Sequence, residues 1–179
     1  MTAAPVAYRL ATAADALCVG VLAMQVYLDT YATEGIRPDI ARDVLADYGP
    51  DAYARRLSRP DTSAMLAERA GHLLGFAEVR LNQPCPVPDI ACAVELDRLY
   101  VQRHVHRQGI GAALLRQAEA MAQQHGAGGL WLTAWSGNAN ALDFYPSQGY
   151  RAVGTAQHWI EGIAYENVVF FKKCTCAQR

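Results

Sequence analysis

The sequence has almost no surplus of charge: across 179 residues, 16 Lys and Arg stand against 17 Asp and Glu. That balance excludes the whole-molecule field by which a basic protein gathers nucleic acid or an anionic membrane, so neither is expected as a partner and any anion site must be local. The five cysteines, Cys18, Cys85, Cys92, Cys174 and Cys176, form no C-x-x-C module, and their odd count reads as reduced thiols in a cytoplasmic protein. Cys174 and Cys176 have no nearby histidine and fall short of a structural zinc site, so no metal is expected. The N-terminus lacks a positively charged region, and the most apolar early stretch, from Ala16 to Leu28, is too short to cross about 30 Å of hydrocarbon. Secretion and membrane insertion are therefore not expected. No internal repeat, low-complexity tract or linker appears, and the length and 52% hydrophobic content suit one domain over residues 1–179.

What is present reads as an alternation of strands and helices. A short strand is expected from Tyr8 to Ala11, and Thr12 offers an N-cap oxygen to a helix from Ala13 to about Tyr31. Helical spacing returns from Asp39 to Tyr48 and from Asp51 to Leu57, with Pro38, Pro50 and Pro60 at the boundaries. Ala64 to Glu68 and Leu73 to Leu81 read as a hairpin linked by Ala70-Gly71-His72, and Asn82 to Pro88 as a loop. A strand from Val94 to Val101, a helix from Ile110 to about His125 ending at Gly126, and a strand from Leu130 to Trp135 imply a parallel crossover. A short helix from Asn138 to about Gln148 stops at Gly149, and two strands, Tyr150 to Trp159 and Ala164 to Lys173, turn around Glu161-Gly162. The fold class is α/β, with a mixed, mostly antiparallel sheet of about seven strands and helices on both faces.

The most informative stretch runs from Leu99 to Leu115, where a strand passes through a basic turn carrying Arg103, His104, His106 and Arg107 into Gly109 and Gly111 at a helix start. Free N–H groups at a helix N-terminus carry partial positive charge, and glycines let an anion approach the backbone closely. The two glycines also suit tight packing of helix on sheet. A P-loop is ruled out by the missing Gly-Lys-Ser/Thr ending, and a dinucleotide fingerprint by the missing third glycine.

His106-Arg-Gln-Gly109-Ile-Gly111 resembles the Gln/Arg-x-x-Gly-x-Gly/Ala signature of the GNAT superfamily of N-acetyltransferases, with His106 standing where the family usually has Gln or Arg. Asn138-Ala-Asn-Ala141-Leu-Asp-Phe144-Tyr145, followed by Gly149-Tyr150, is similar to a second family motif. The likeness covers Tyr8 to Lys173, and in the first 60 residues it lies mainly in element order. Asp29-Thr30-Tyr31 and Glu95-Leu-x-Arg-Leu-Tyr-Val resemble the branch of PaiA-type polyamine acetyltransferases.

The resemblance implies a GNAT fold whose fourth and fifth strands run parallel and then splay. It implies acetyl-CoA as co-substrate, with the pyrophosphate at Arg107, Gln108, Gly109, Ile110, Gly111 and Ala112 and the pantetheine along the backbone of Leu99, Tyr100 and Val101. Tyr145 then holds the general-acid position. A thiol pKa of about 8.5 against a phenol at about 10 makes that proton transfer workable, although Tyr145 also reads as a core tyrosine. An alkylamine with a pKa of about 10.4 is neutral only about once in 2,500 at pH 7, so a base should help. Glu95 shares a strand face with Asp97 and is the candidate; an ion pair with a neighbour such as Arg98, or solvent exposure, is the structural alternative. Asn138 suits capping of its helix, contact with CoA, or both. Asp39, Asp43 and Asp47 form an acidic stripe, read either as a solvated helix face or as an attraction for a cationic acceptor.

The expected reaction is direct acetyl transfer to a primary amine, either a small molecule or a peptide, with a homodimer left open. A non-catalytic acyl-CoA-binding module of the same fold is the rival reading.

Overall fold

The structure, a computed structural model, describes residues 4–88, 90, 94–160 and 162–174. It divides into two compact units, Met1–Glu78 with Arg98–Gln117, and Val79–Asp97 with Ala118–Arg179. Cys92, Cys176 and Glu161 of the expected turn lie outside the described residues.

In the first unit, β1 (Ala7–Leu10) pairs antiparallel with β2 (Thr62–Arg69), Ala7 opposite Glu68 and Leu10 opposite Met65. β2 turns into β3 (His72–Leu81) through Ala70 and Gly71, at φ 49° and 79°. Two successive left-handed residues make the tight turn whose twist matches a hairpin. Three helices follow β1: α1 (Ala16–Tyr31), α2 (Pro38–Asp47) and α3 (Pro50–Leu57). Pro38 and Pro50 each start a helix, where the missing N–H costs nothing. A short 3-10 turn, Ala13–Asp15, precedes α1. Thr12 stands at the N-cap of this turn as expected, and the Asp15 carboxylate accepts from its N–H and its hydroxyl in a capping box.

Ala13–Tyr31 is longer than the apolar stretch read from the sequence, and by length and a mean hydropathy of 1.3 it is apolar enough to cross a membrane. In this fold its Val19, Leu22 and Ala23 instead pack with Tyr53, Leu66 and Phe76 as a core. Gly20 is required there: a Cβ would stand 2.8 Å from the Pro50 nitrogen, so only glycine lets α1 approach α3 this closely.

β3, β4 (Val94–Val101) and α4 (Ile110–Gln124) run from one unit into the other. The second unit adds β5 (Gly129–Trp135), α5 (Ala139–Ser147), β6 (Arg151–Ile160) and β7 (Ile163–Lys173). The sheet has seven strands in the order β1-β2-β3-β4-β5-β7-β6. β4 and β5 are parallel, whereas β5 with β7 and β6 with β7 are antiparallel. The β4–β5 ladder consists of Val94 opposite Leu130 and Glu95 opposite Trp131, and among the described residues it goes no further. β5 pairs with β7 along its whole length, from Gly129 to Trp135. α4 stops at Gly126, φ 71°, where the Ala127 N–H reaches back to Ala122 O and the Gly126 N–H to Gln123 O, satisfying two terminal carbonyls.

Candidate functional site

The basic turn begins as β4 ends. The Gln102 N–H donates to Leu74 O at 2.9 Å, so Gln102 and, by the two-residue period, Tyr100 direct their main-chain groups at β3. Leu99 and Val101 direct theirs away from it. A short 3-10 turn, Arg103–Val105, then buries Val105 and leaves Arg103 and His104 exposed. His106 folds back, and its ring Nε2 donates to the Val101 carbonyl at 2.8 Å. That bond accounts for a histidine at this position, where it ties the turn to the end of the strand. Arg107 and Gly109 both have left-handed φ, 62° and 79°, and reverse the chain before α4. The Gln108 side chain is held by Arg69, whose Nη2 donates to its Oε1 at 3.0 Å.

The first helical hydrogen bond of α4 runs from the Ala113 N–H to Gly109 O at 3.0 Å. The amides of Ile110, Gly111 and Ala112 therefore precede any partner within the helix. From Arg98 to Ala118 the chain carries four arginines and two histidines and no acidic residue. Three amides at a positive helix end, set in a basic segment, form a surface suited to an anion.

Along β4, buried Val94, Leu96 and Arg98 alternate with partly exposed Glu95, Asp97 and Leu99, as expected. Glu95 forms the ion pair that was the structural alternative to a base role, and its partner is Arg80, at 3.7 Å, rather than Arg98. Arg98 lies on the other face, 3.5 Å from the fully buried Glu78 and with its guanidinium 4.7 Å from the Tyr48 ring centroid. The acidic stripe of α2 is not uniformly solvated either. Asp43 is half-buried and accepts a hydrogen bond from the Tyr27 hydroxyl, and Asp39 pairs with Arg37 at 2.9 Å.

In the second unit, Asn138 precedes α5 and its Oδ1 accepts from the Ala141 N–H at 3.1 Å, which establishes the capping role. Tyr145 is 9% exposed, and its ring packs against Phe144, Tyr150 and Phe170 with centroids 5.3, 5.8 and 5.6 Å away. Pro146 lies within α5, yet the helix continues to Ser147. Gly149, φ 85°, closes it: the Tyr150 N–H donates to Tyr145 O at 3.1 Å and the Gly149 N–H to Pro146 O at 3.0 Å. Gly149-Tyr150 is thus the C-cap of the helix that carries Tyr145. What the sequence did not disclose is the far end of Tyr150, whose hydroxyl donates to Glu119 alongside Lys172. Tyr150 was visible as a motif position, but its partners are 31 and 22 residues away and belong to no local pattern.

Three comparisons bear on these features. The sequence model of the acetyltransferase (GNAT) family matches residues 26–150. A streptothricin acetyltransferase of Streptomyces lavendulae is 35% identical over 100 residues, 54% of this chain and 48% of that protein. An uncharacterised N-acetyltransferase of Lactobacillus delbrueckii subsp. lactis is 21% identical over 128 residues, 72% of this chain and 74% of its own. In fold, the chain is similar to the PaiA N-acetyltransferase of Thermoplasma acidophilum crystallised with coenzyme A. The TM-score is 0.77 at 20% identity, over 94% of this chain and 99% of that one.

Proposed function

Because the chain belongs to the acetyltransferase (GNAT) family, we propose that it moves the acetyl group of acetyl-CoA to a primary amine by direct attack on the thioester. The observation that carries this reading is the turn from His106 to Ala112, with its left-handed Arg107 and Gly109 and the three amides that follow. These amides hold the CoA pyrophosphate, with Arg107 and Gln108 beside it. The pantetheine lies along Leu99, Tyr100 and Val101, and the outward main-chain groups of Leu99 and Val101 make the strand-like contacts. That role is supported by the β4–β5 ladder ending at Glu95 and Trp131.

In the reaction, the amine nitrogen bonds to the thioester carbon, the C–S bond breaks, and the electron pair leaves on sulfur. Tyr145 donates its proton to that thiolate. Glu95 takes the proton lost by the amine, directly or through water, and it pairs with Arg80 at 3.7 Å. No covalent enzyme intermediate is required.

The acceptor is a cationic amine. From Asp29 to Asp51 the chain carries six carboxylates against two arginines, the reverse of the basic turn. That excess of negative charge suits an ammonium group. A cytoplasmic location goes with acetyl-CoA and with Cys18 and Cys85 being free thiols.

Thiol release from acetyl-CoA, measured across diamines, neutral primary amines, amino-acid amides and peptide amines, tests this proposal. Release should be fastest with amines that carry a second positive charge. CoA binding without release for any amine would favour the non-catalytic module instead.

A further inference from the structure

The chain that follows Tyr145 turns back and holds it. Tyr150, only 3% exposed, caps the Tyr145 carbonyl through its N–H at 3.1 Å. Its ring also meets the Tyr145 ring nearly edge-on, at 65° and 5.8 Å between centroids. Tyr150 is itself fixed at its far end. Its hydroxyl donates to Glu119 Oε1 at 3.1 Å, and Lys172 Nζ donates to the same oxygen at 2.9 Å while lying 5.5 Å from the Tyr150 ring centroid. Burial, reinforced by the Glu119 carboxylate, holds this phenol far above the usual tyrosine range, so it stays a donor at every ordinary pH.

Pro146 explains why α5 needs such an anchor. It has no N–H for the Leu142 carbonyl, so the last helical turn is one hydrogen bond short where Tyr145 stands. A tilt of roughly 10° moves a phenol oxygen by about 1 Å, a displacement large enough to impair proton transfer. Phe144 and Phe170 confine the Tyr145 ring by apolar contact, which is not directional. The bond from the Tyr150 hydroxyl to Glu119 is directional and opposes such tilts.

We propose that Tyr150, pinned by Glu119 and Lys172, is a positioning residue for Tyr145 and sets the direction of its hydroxyl. This rests on the reading of Tyr145 as the proton donor.

The variant Tyr150→Phe keeps the ring and the main-chain cap and removes only the anchor. It should lower kcat about three- to ten-fold while KM for acetyl-CoA stays unchanged. Glu119→Gln retains an acceptor and should recover most of the wild-type rate, whereas Glu119→Leu should match Tyr150→Phe. The deciding comparison is made in a Tyr145→Phe background, where adding Tyr150→Phe should cause no further loss. A full additional loss there, or a wild-type kcat for Tyr150→Phe alone, overturns the positioning role while the proton-donor reading stands. If Tyr145→Phe by itself turns over like the wild type, the proton-donor reading falls and the positioning role with it. Should Tyr150→Phe melt at a lower temperature, Lys172→Met leaves Tyr150 intact and carries the same comparison. Its smaller loss must also vanish in the Tyr145→Phe background, and persistence of that loss counts against the proposal.

Discussion

The segment from Arg103 to Ala112 and the segment from Asn138 to Tyr150 serve the proposed chemistry with different parts of the chain. In the first, the working groups are main-chain amides, set by the left-handed φ of Arg107 and Gly109 and by the start of α4. Its side chains brace the turn: His106 holds the Val101 carbonyl and Arg69 holds Gln108. In the second, the working group is one phenol, and three aromatic rings, a glycine cap and a buried hydroxyl bond surround it. A main-chain site depends on backbone angles and should tolerate a change of side chain, such as histidine in place of Gln or Arg. A side-chain site depends on packing and tolerates little.

The sharpest way to separate the two segments is Tyr145→Phe. Turnover should fall about a hundred-fold or more, the scale of a lost general acid, while CoA affinity stays within about two-fold. Steady-state kinetics and calorimetry on the same preparation check both halves, and a parallel fall in affinity would erase the distinction. Next in size is a bulky residue at Gly111, such as Gly111→Val. It should weaken CoA binding roughly ten- to a hundred-fold, the cost of contacts to a charged ligand, with the melting temperature little changed. Equilibrium binding of CoA is the readout.

His106→Ala should do less. The ring bonds an exposed carbonyl, so CoA affinity is expected to change by no more than about three-fold. A loss as large as that of the Gly111 variant would make His106 a direct ligand of CoA and the main-chain account of the turn incomplete.

The smallest effect is on stability at high pH and concerns the side-chain segment. Tyr150 has its pKa raised in the fold, so its contribution is fully present below the unfolded value of about 10 and declines as pH rises above it, where the unfolded chain ionises first. Melting temperature measured from pH 8 upward should fall more steeply above about pH 10 in the wild type than in Tyr150→Phe. Identical slopes would mean that the buried hydroxyl is not what the fold protects.

Much of the main-chain site was legible in the sequence, because its determinants are local. Glycine spacing, the strand before it and the apolar face after it fall within the 17 residues from Leu99 to Leu115, and β4 and the start of α4 lie where periodicity puts them. The side-chain segment was legible only at its ends. Asn138 read as a cap and Gly149 as a stop, both backbone signals, and both hold. The Glu119–Tyr150–Lys172 cluster was not visible, since α4, β6 and β7 must fold together before those three side chains meet. The pairing of Glu95 shows the same limit. Arg98 is nearer in sequence, but strand alternation sends it to the opposite face, and Arg80 on β3 takes its place. Pro146 lies inside α5, and the glycine cap that follows closes the helix one residue beyond it, at Ser147.

The main-chain role of the turn is the claim on which the rest depends. An amide-resolved magnetic resonance titration of the protein with CoA tests it most directly. The Ile110, Gly111 and Ala112 N–H signals should move downfield together and saturate with a single affinity. If they stay in place while CoA binds, the pyrophosphate lies elsewhere and the proposed site is wrong.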